Sequence, residues 1–305
     1  MHFHQTTIHQ RIQVSGIGLH TGKPIEVVLS PLPIDSGIWF QRTDTPKASA
    51  LLASTENVTD TELATTIGSG HESISTIEHL LATLGGLGIS NLKIEVNGPE
   101  LPILDGSAAP WASLLQKAGI KTFNAPRSYY RVKKNFRLTN GDKFLEVEPS
   151  SHFSMDVTLM FPGFLEKQSK KFVFSKSAFV SEICPARTFC LAKDIEFMQK
   201  NHRALGGGLD NAVVINLGGQ ILNPEGLRFP DEFARHKILD LIGDLTLAQA
   251  PILGHFTAYK TGHTLNQKFL HDLLKTPGLL ERVTFESNEK LDSLKLSLPS
   301  VALAS

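Results

Sequence analysis

The segment RHKILDLIGD, residues 235–244, mixes His236, Lys237, Asp240 and Asp244 with Ile238, Leu239, Leu241 and Ile242. The apolar residues recur at helical spacing, so the charged ones sit on a helix that otherwise reads as core. Residues four apart on a helix project from one face. His236 and Asp240 therefore point the same way, and Asp244 continues their row. An imidazole and a carboxylate so placed can reach one metal ion, at about 2.0–2.2 Å each for zinc. A solvated helix face fits the same pattern, because His-x-x-x-Asp is a frequent match. A catalytic zinc takes three protein ligands and keeps one position open. The candidate third ligand among the twelve histidines is His79, which follows Glu78. A glutamate beside a ligand serves as general base in metallopeptidase helices. Ser75-x-x-Glu78 also fits a capping box, in which Glu78 would only close its own helix. His263, in KTGHTLNQ, stands at the turn into a further helix. It could protonate a leaving group near neutral pH, or simply begin its helix.

The surrounding pattern predicts what must hold these residues. Strand-like runs RIQVSGIGLH and KPIEVVLSPL open the chain. In SISTIEHLLATLGGLG, Ile77, Leu80, Leu81 and Leu84 form a helical apolar face, which Gly85 and Gly86 can end. NLKIEVNG reads as a strand and APWASLLQKAG as a second helix; KTFNAPRSYY, near 121–130, reads as a linker. RVKKNFRLTNGDKFLEVEP reads as a hairpin turning at Asn140-Gly141. DEFARHKILDLIGDLTLAQA is a helix with Phe233, Ile238, Leu241, Ile242 and Leu245 on one side, ILGHFTAYK a strand, and LNQKFLHDLLK a closing helix. Helix, strand, turn, helix thus occurs twice. The expected class is α+β, in two related halves over 1–124 and 125–277. The second half carries an insert near 180–225, and 278–305 reads as a tail.

Bulk properties exclude several classes. The 305 residues balance 30 Lys and Arg against 30 Asp and Glu, so no electrostatic nucleic-acid binder is expected. No secretory signal or membrane span is apparent. Two cysteines, Cys184 and Cys190, cannot build a disulfide framework, and a reducing cytoplasm is the expected compartment. His2, His4 and His9 cluster at a terminus expected to be mobile, a poor place for a catalytic site. GIGLHTGKP lacks the Ser or Thr of a phosphate loop, and LGGGLD lacks the spacing of a dinucleotide fingerprint.

The stretches STIEHLLATLGGLGI, NGPELPILDGSAAPW, ARTFC, EGLRFPDEFARHKILDLIGDL and YKTGHTLN occur in that order. With GIGLHTGK and NGDKFLEVEP they closely resemble the LpxC family, UDP-3-O-acyl-N-acetylglucosamine deacetylases of lipid A biosynthesis. The resemblance runs to about residue 275. Cys190 departs from it, standing where the family commonly has glycine.

The resemblance implies two α+β domains whose helices are sandwiched between their sheets, with ligands from both halves: His79, His236 and Asp240 around zinc. Ferrous iron is the other metal such donors accept. It implies Glu78 as general base and His263 as the acid that protonates the sugar amine. Asp244 would orient His263, and Lys237 and Thr188 would stabilise the oxyanion. Carried over further, His20 and Lys143 face the nucleotide-sugar diphosphate and Phe161 stacks on the base. Arg187 and Phe189 contact substrate near the metal, with Asp194 and Lys260 also nearby. Leu191, Ile195 and Met198 in the insert would line an acyl passage, although such a stripe is more often core. The expected protein is a monomer whose partner is UDP-3-O-acyl-N-acetylglucosamine. A zinc peptidase is disfavoured by the absence of His-Glu-x-x-His, and a non-catalytic sugar-nucleotide module by the presence of the full acid–base set.

Overall fold

The computed structural model describes residues 3–161 and 165–285, without the side chains of residues 161, 165 and 166. The chain runs β1 (His4–Ile8), β2 (Ile12–Ile17), β3 (Pro24–Pro31), β4 (Ile38–Arg42), β5 (Leu51–Leu52), β6 (Val58–Asp60), β7 (Thr66–Ile67), α1 (Glu78–Leu87), β8 (Leu92–Val96), α2 (Ala109–Ala118) and β9 (Ile120–Pro126). It continues with β10 (Ser128–Val132), β11 (Phe136–Asn140), β12 (Lys143–Glu148), β13 (Phe153–Phe161), β14 (Leu165–Val173), α3 (Lys176–Ala178), β15 (Phe189–Leu191), α4 (Ala192–Lys200), β16 (Val213–Ile215), α5 (Glu232–Thr246), β17 (Ile252–Tyr259), α6 (His263–Lys275) and β18 (Leu280–Thr284). The architecture is mixed, with several sheets and six helices among the described residues, compatible with the expected α+β class.

Two sheets dominate. One has the order β2-β3-β8-β4-β5; the other has β11-β12-β17-β10-β18, with β13 beside β17 and β14 beside β13. Alternation builds them: in β3, Ile25, Val27 and Leu29 are buried while Pro24 and Glu26 are exposed. The segments α1–β8–α2 and α5–β17–α6 repeat one order, each strand lying inside its sheet. The hairpin at Asn140-Gly141 forms, with Asn140 opposite Lys143 and Gly141 at φ 62°.

Helix α1 is buried on nearly all sides, with Ile77 at its start and Leu80, Leu81 and Leu84 fully covered. A helix apolar all round belongs in the centre of a core. It packs against α5, and glycine permits the close crossing. A Cβ on Gly243 would stand 2.2 Å from the Glu78 carbonyl oxygen at this crossing; elsewhere on α1, one on Gly86 would overlap the ring of Phe179, which follows α3. Gly85 and Gly86 therefore do not end α1, as their type suggests. The helix continues to Leu87 and closes at Gly88 in the left-handed region, φ 82°.

Three other expectations are corrected. The segment near 121–130 is no linker: it forms β9, paired with β1, and β10, paired with β17 and β18. Lys121, Thr122 and Asn124 are exposed on β9, which hides its strand period, and β10 lies inside its sheet between β17 and β18. The part of the tail at Leu280–Thr284 is a strand on β10, and Phe285 is buried against Tyr129 and Leu253; residues 286–305 lie outside the description. The expected mobile N-terminus is held as β1, which includes His4, while His2 lies outside the described residues.

Candidate metal centre and active site

The α1–α5 crossing brings His79 of one helix against His236 and Asp240 of the other. His79 Nε2 lies 3.8 Å and His236 Nε2 3.3 Å from Asp240 Oδ1. One ligand atom from each of the three falls within 4.8 Å of the others, and all three residues are buried. Among the described residues no other such set occurs. His236 Nδ1 lies 3.0 Å from the Ala186 carbonyl oxygen. A carbonyl only accepts, so Nδ1 carries the proton and the Nε2 lone pair faces the centre. Burial and the neighbouring His236 push His79 down to about 3, and burial also lowers His236. Both imidazoles are therefore neutral at pH 7. Burial opposes ionisation of Asp240, but the charge of His236, when that ring is protonated at low pH, and the cationic Lys237 outweigh it and hold its pKa below the usual range. Two neutral imidazoles and one carboxylate around a common point fit a divalent cation, which could reside here.

The acid–base groups stand beside this point. Glu78 is the first residue of α1, yet no side-chain cap closes that end of the helix. The capping-box alternative is thereby set aside. The Glu78 carboxylate instead accepts the Thr65 amide at 3.1 Å and lies 4.0 Å from His263 Nε2. Burial raises Glu78 to about 7 against the opposing charge of His263. His263 opens α6, where its Nδ1 bonds Asp244 Oδ2 at 2.9 Å. Burial disfavours its charge, but Asp244 and Glu78 prevail and push it up to about 9. Asp244 is fully buried and also accepts from Thr65, Asn266 and Gln267. Lys237 donates to Asp240 Oδ2 at 2.7 Å; burial works against its charge, but Asp240 keeps its pKa raised.

A cavity of about 350 Å³ opens over these groups. Of the expected residues it is lined by Glu78, His79, His236, Lys237, Asp240, His263, Thr188, Phe189, His20 and Lys143. His20 is buried, lowered in pKa mainly by that burial, and its Nε2 has no hydrogen-bond partner. Phe189 packs on Phe233 and on the His236 ring. Arg187 lies outside the cavity lining. Its guanidinium is 2% exposed and turned inward onto Glu232, Glu225 and the Gly226 carbonyl, where it braces the start of α5. Lys260 pairs with Asp142 at 2.5 Å, and Asp194 is exposed on α4; neither lines the cavity. Phe161 ends β13, and its side chain is outside the described residues. Leu63, Thr61 and Thr264 also line the cavity. Sequence reading missed Thr61 and Leu63 because the 61–65 loop carries no period, and Thr264 because the start of α6 drew attention only to His263. A separate cavity lined by Ile38, Phe153, Leu245 and Leu253 contains no carboxylate or imidazole, so the chemistry concentrates in the first.

A buried three-donor centre, with a carboxyl that titrates near neutrality on one side and an imidazolium on the other, is the apparatus of a metal-assisted hydrolase. The family model for UDP-3-O-acyl N-acetylglycosamine deacetylase matches residues 5–275. The chain is 44% identical to the UDP-3-O-acyl-N-acetylglucosamine deacetylase of Shewanella violacea over 98% of both chains. It is 47% identical to the one from an Anaeromyxobacter species, over 91% of this chain and 90% of the relative. It is 43% identical to the one from a Geobacter species, over 98% of both. The chain belongs to this deacetylase family.

Proposed function

We propose that this enzyme hydrolyses the N-acetyl group of UDP-3-O-acyl-N-acetylglucosamine in lipid A biosynthesis, releasing acetate, with zinc held by His79, His236 and Asp240. The observation that carries the reading is the convergence of those three donors beside Glu78 and the His263–Asp244 pair, in a chain of this family. Ferrous iron is the second metal the donor set accepts. The cation, when bound, supplies Lewis acidity to the acetamide carbonyl and lowers the cost of deprotonating water.

The protein's own groups do the rest. Glu78, ionised, takes a proton from the water that attacks the acetamide carbon. Lys237 and Thr188 line the cavity, and they would stabilise the negative charge that develops on the carbonyl oxygen. His263, protonated, gives its Nε2 proton to the departing amine as the carbon–nitrogen bond breaks. Asp244 holds the imidazolium and favours its charge. His20 and Lys143 extend the wall toward the diphosphate, and the base would sit toward the end of β13 at Phe161. The substrate contacts expected of Arg187, Asp194 and Lys260 rest on the family resemblance alone, since none of the three lines this cavity.

The wider architecture is read in the same terms. Two α+β units, 1–124 and a second from 125 that includes β18, would place their helices between their sheets. Supporting this are the packing of α1 on α5, of α2 on β2, and of α6 on β11 and β12. No helix among the described residues is long and apolar enough to cross a membrane, and the reading is of a cytoplasmic monomer. The deciding experiment supplies purified protein with a UDP-3-O-acyl-N-acetylglucosamine and, separately, with peptides. Acetate release from the sugar nucleotide alone supports the proposal. Peptide cleavage, or binding of the sugar nucleotide without turnover, refutes it.

A further inference from the structure

Thr65 sits in the loop between β6 and β7, fully buried, outside every motif singled out in the sequence. Its amide donates to Glu78 Oε2 at 3.1 Å. Its hydroxyl donates to Asp244 Oδ1 at 2.6 Å and lies 3.2 Å from His263 Nδ1. One residue thus touches the base, the acid, and the carboxylate that steers the acid. A hydroxyl has a single proton, and the shorter contact assigns it to Asp244. The Thr65 oxygen is then left as an acceptor toward Nδ1–H. Asp244 is thereby fully occupied: Thr65 and Gln267 on Oδ1, His263 and Asn266 on Oδ2. With Oδ1 held, the carboxylate cannot turn, and Oδ2 stays on Nδ1. Nδ1 keeps its proton after Nε2 has given one away.

We propose that the Thr65 hydroxyl is a positioning group for proton delivery, acting through Asp244 to hold His263 with Nδ1 protonated and Nε2 aimed at the leaving amine. The inference rests on the deacetylase reading, so the parent enzyme is first shown to release acetate; failure there counts against that reading and not against Thr65. Thr65→Val keeps the shape and the amide contact to Glu78 and removes only the hydroxyl. The expected result is a fall in kcat of about tenfold, the effect of one hydrogen bond to an ionised group. KM, metal content and melting temperature should hold. Thr65→Ser should recover most of the rate. In an Asp244→Asn background, Thr65→Val should cause little further loss, because the group it acts through is already impaired. Parental kcat in Thr65→Val, a loss carried by KM, no recovery in Thr65→Ser, or additive losses in the double variant would each overturn the proposal. Should Thr65→Val not fold, Thr65→Ala makes the same comparison. If both fail to fold while Thr65→Ser is active, the residue is structural and the proposal falls.

Discussion

At the scale of single residues, the roles separate by what each variant should lose. His79→Ala, His236→Ala or Asp240→Ala removes one donor of three and is expected to abolish both metal content and turnover. Full zinc occupancy with normal turnover in His236→Ala, measured by metal analysis beside an acetate assay, would remove the ligand assignment. Glu78→Ala and His263→Ala should keep their metal and lose on the order of 10²–10⁴-fold in rate, the usual range for one acid–base group. The pH profile follows from their environments. Glu78 works ionised, so activity rises as pH passes through about 7; His263 works protonated, so activity falls through about 9. The result is a bell in kcat/KM. A bound cation favours the anionic Glu78 and disfavours the imidazolium, so loading moves both limbs to lower pH. Glu78→Ala should erase mainly the acidic limb and His263→Ala mainly the basic one. An intact basic limb at wild-type rate in His263→Ala would end its role as acid.

Between elements, the controlling contact is the α1–α5 crossing. Gly243 faces the Glu78 backbone, whereas Gly85 faces the Thr246 hydroxyl, at 2.6 Å from an added Cβ. A side-chain tip can rotate away; a helix backbone cannot. Gly243→Ala must therefore push α1 from α5 and spread His79 from its partners. Its expected cost exceeds the roughly 1–3 kcal/mol of ordinary overpacking, with weakened metal binding. Gly85→Ala should be mild. Thermal melts and metal titration of the pair test this, and equal effects would contradict it. Thr76 adds local strain: a β-branched residue at φ 57°, two positions before Glu78. Such conformations persist where surrounding structure enforces them, often at active sites.

On the scale of the molecule, the proposed passage and the proposed metal each make a prediction. Helix α4 has no buried residue: Ile195 and Met198 are half-buried, as is Leu191 just before it at the end of β15, and Phe197 is 71% exposed. Leu191 packs against the small cluster of Val213, Ile215 and Phe233, while Ile195 and Met198 belong to no core cluster among the described residues, which favours reading these two as the wall of an acyl passage. Ile195→Trp is expected to shift preference toward shorter acyl chains; an unchanged preference across several such variants would refute the passage. Chelation should abolish acetate release and lower the melting temperature, with both restored by zinc, because the metal binds a site that only the folded chain assembles.

The sequence by itself determined what is local. His236 and Asp240 share a face because helix periodicity acts over four residues, and the apolar faces of α1 and α5 follow from the same rule. The hairpin at Asn140-Gly141 needs only its own turn chemistry. What required partners far along the chain was decided by tertiary structure alone. Ser75 and Glu78 satisfy a capping pattern, yet Glu78 is taken by the amide of Thr65 and the charge of His263. KTFNAPRSYY looks like a linker until β1, β17 and β18 provide ladders for its two strands. Nothing local to Arg187 announces its partners, two glutamates and a carbonyl. Thr65 has no signature at all, because its function lies in three contacts with residues from other elements. A local pattern fixes which side chains can act; the close approach of two helices at Gly243 fixes which of them meet.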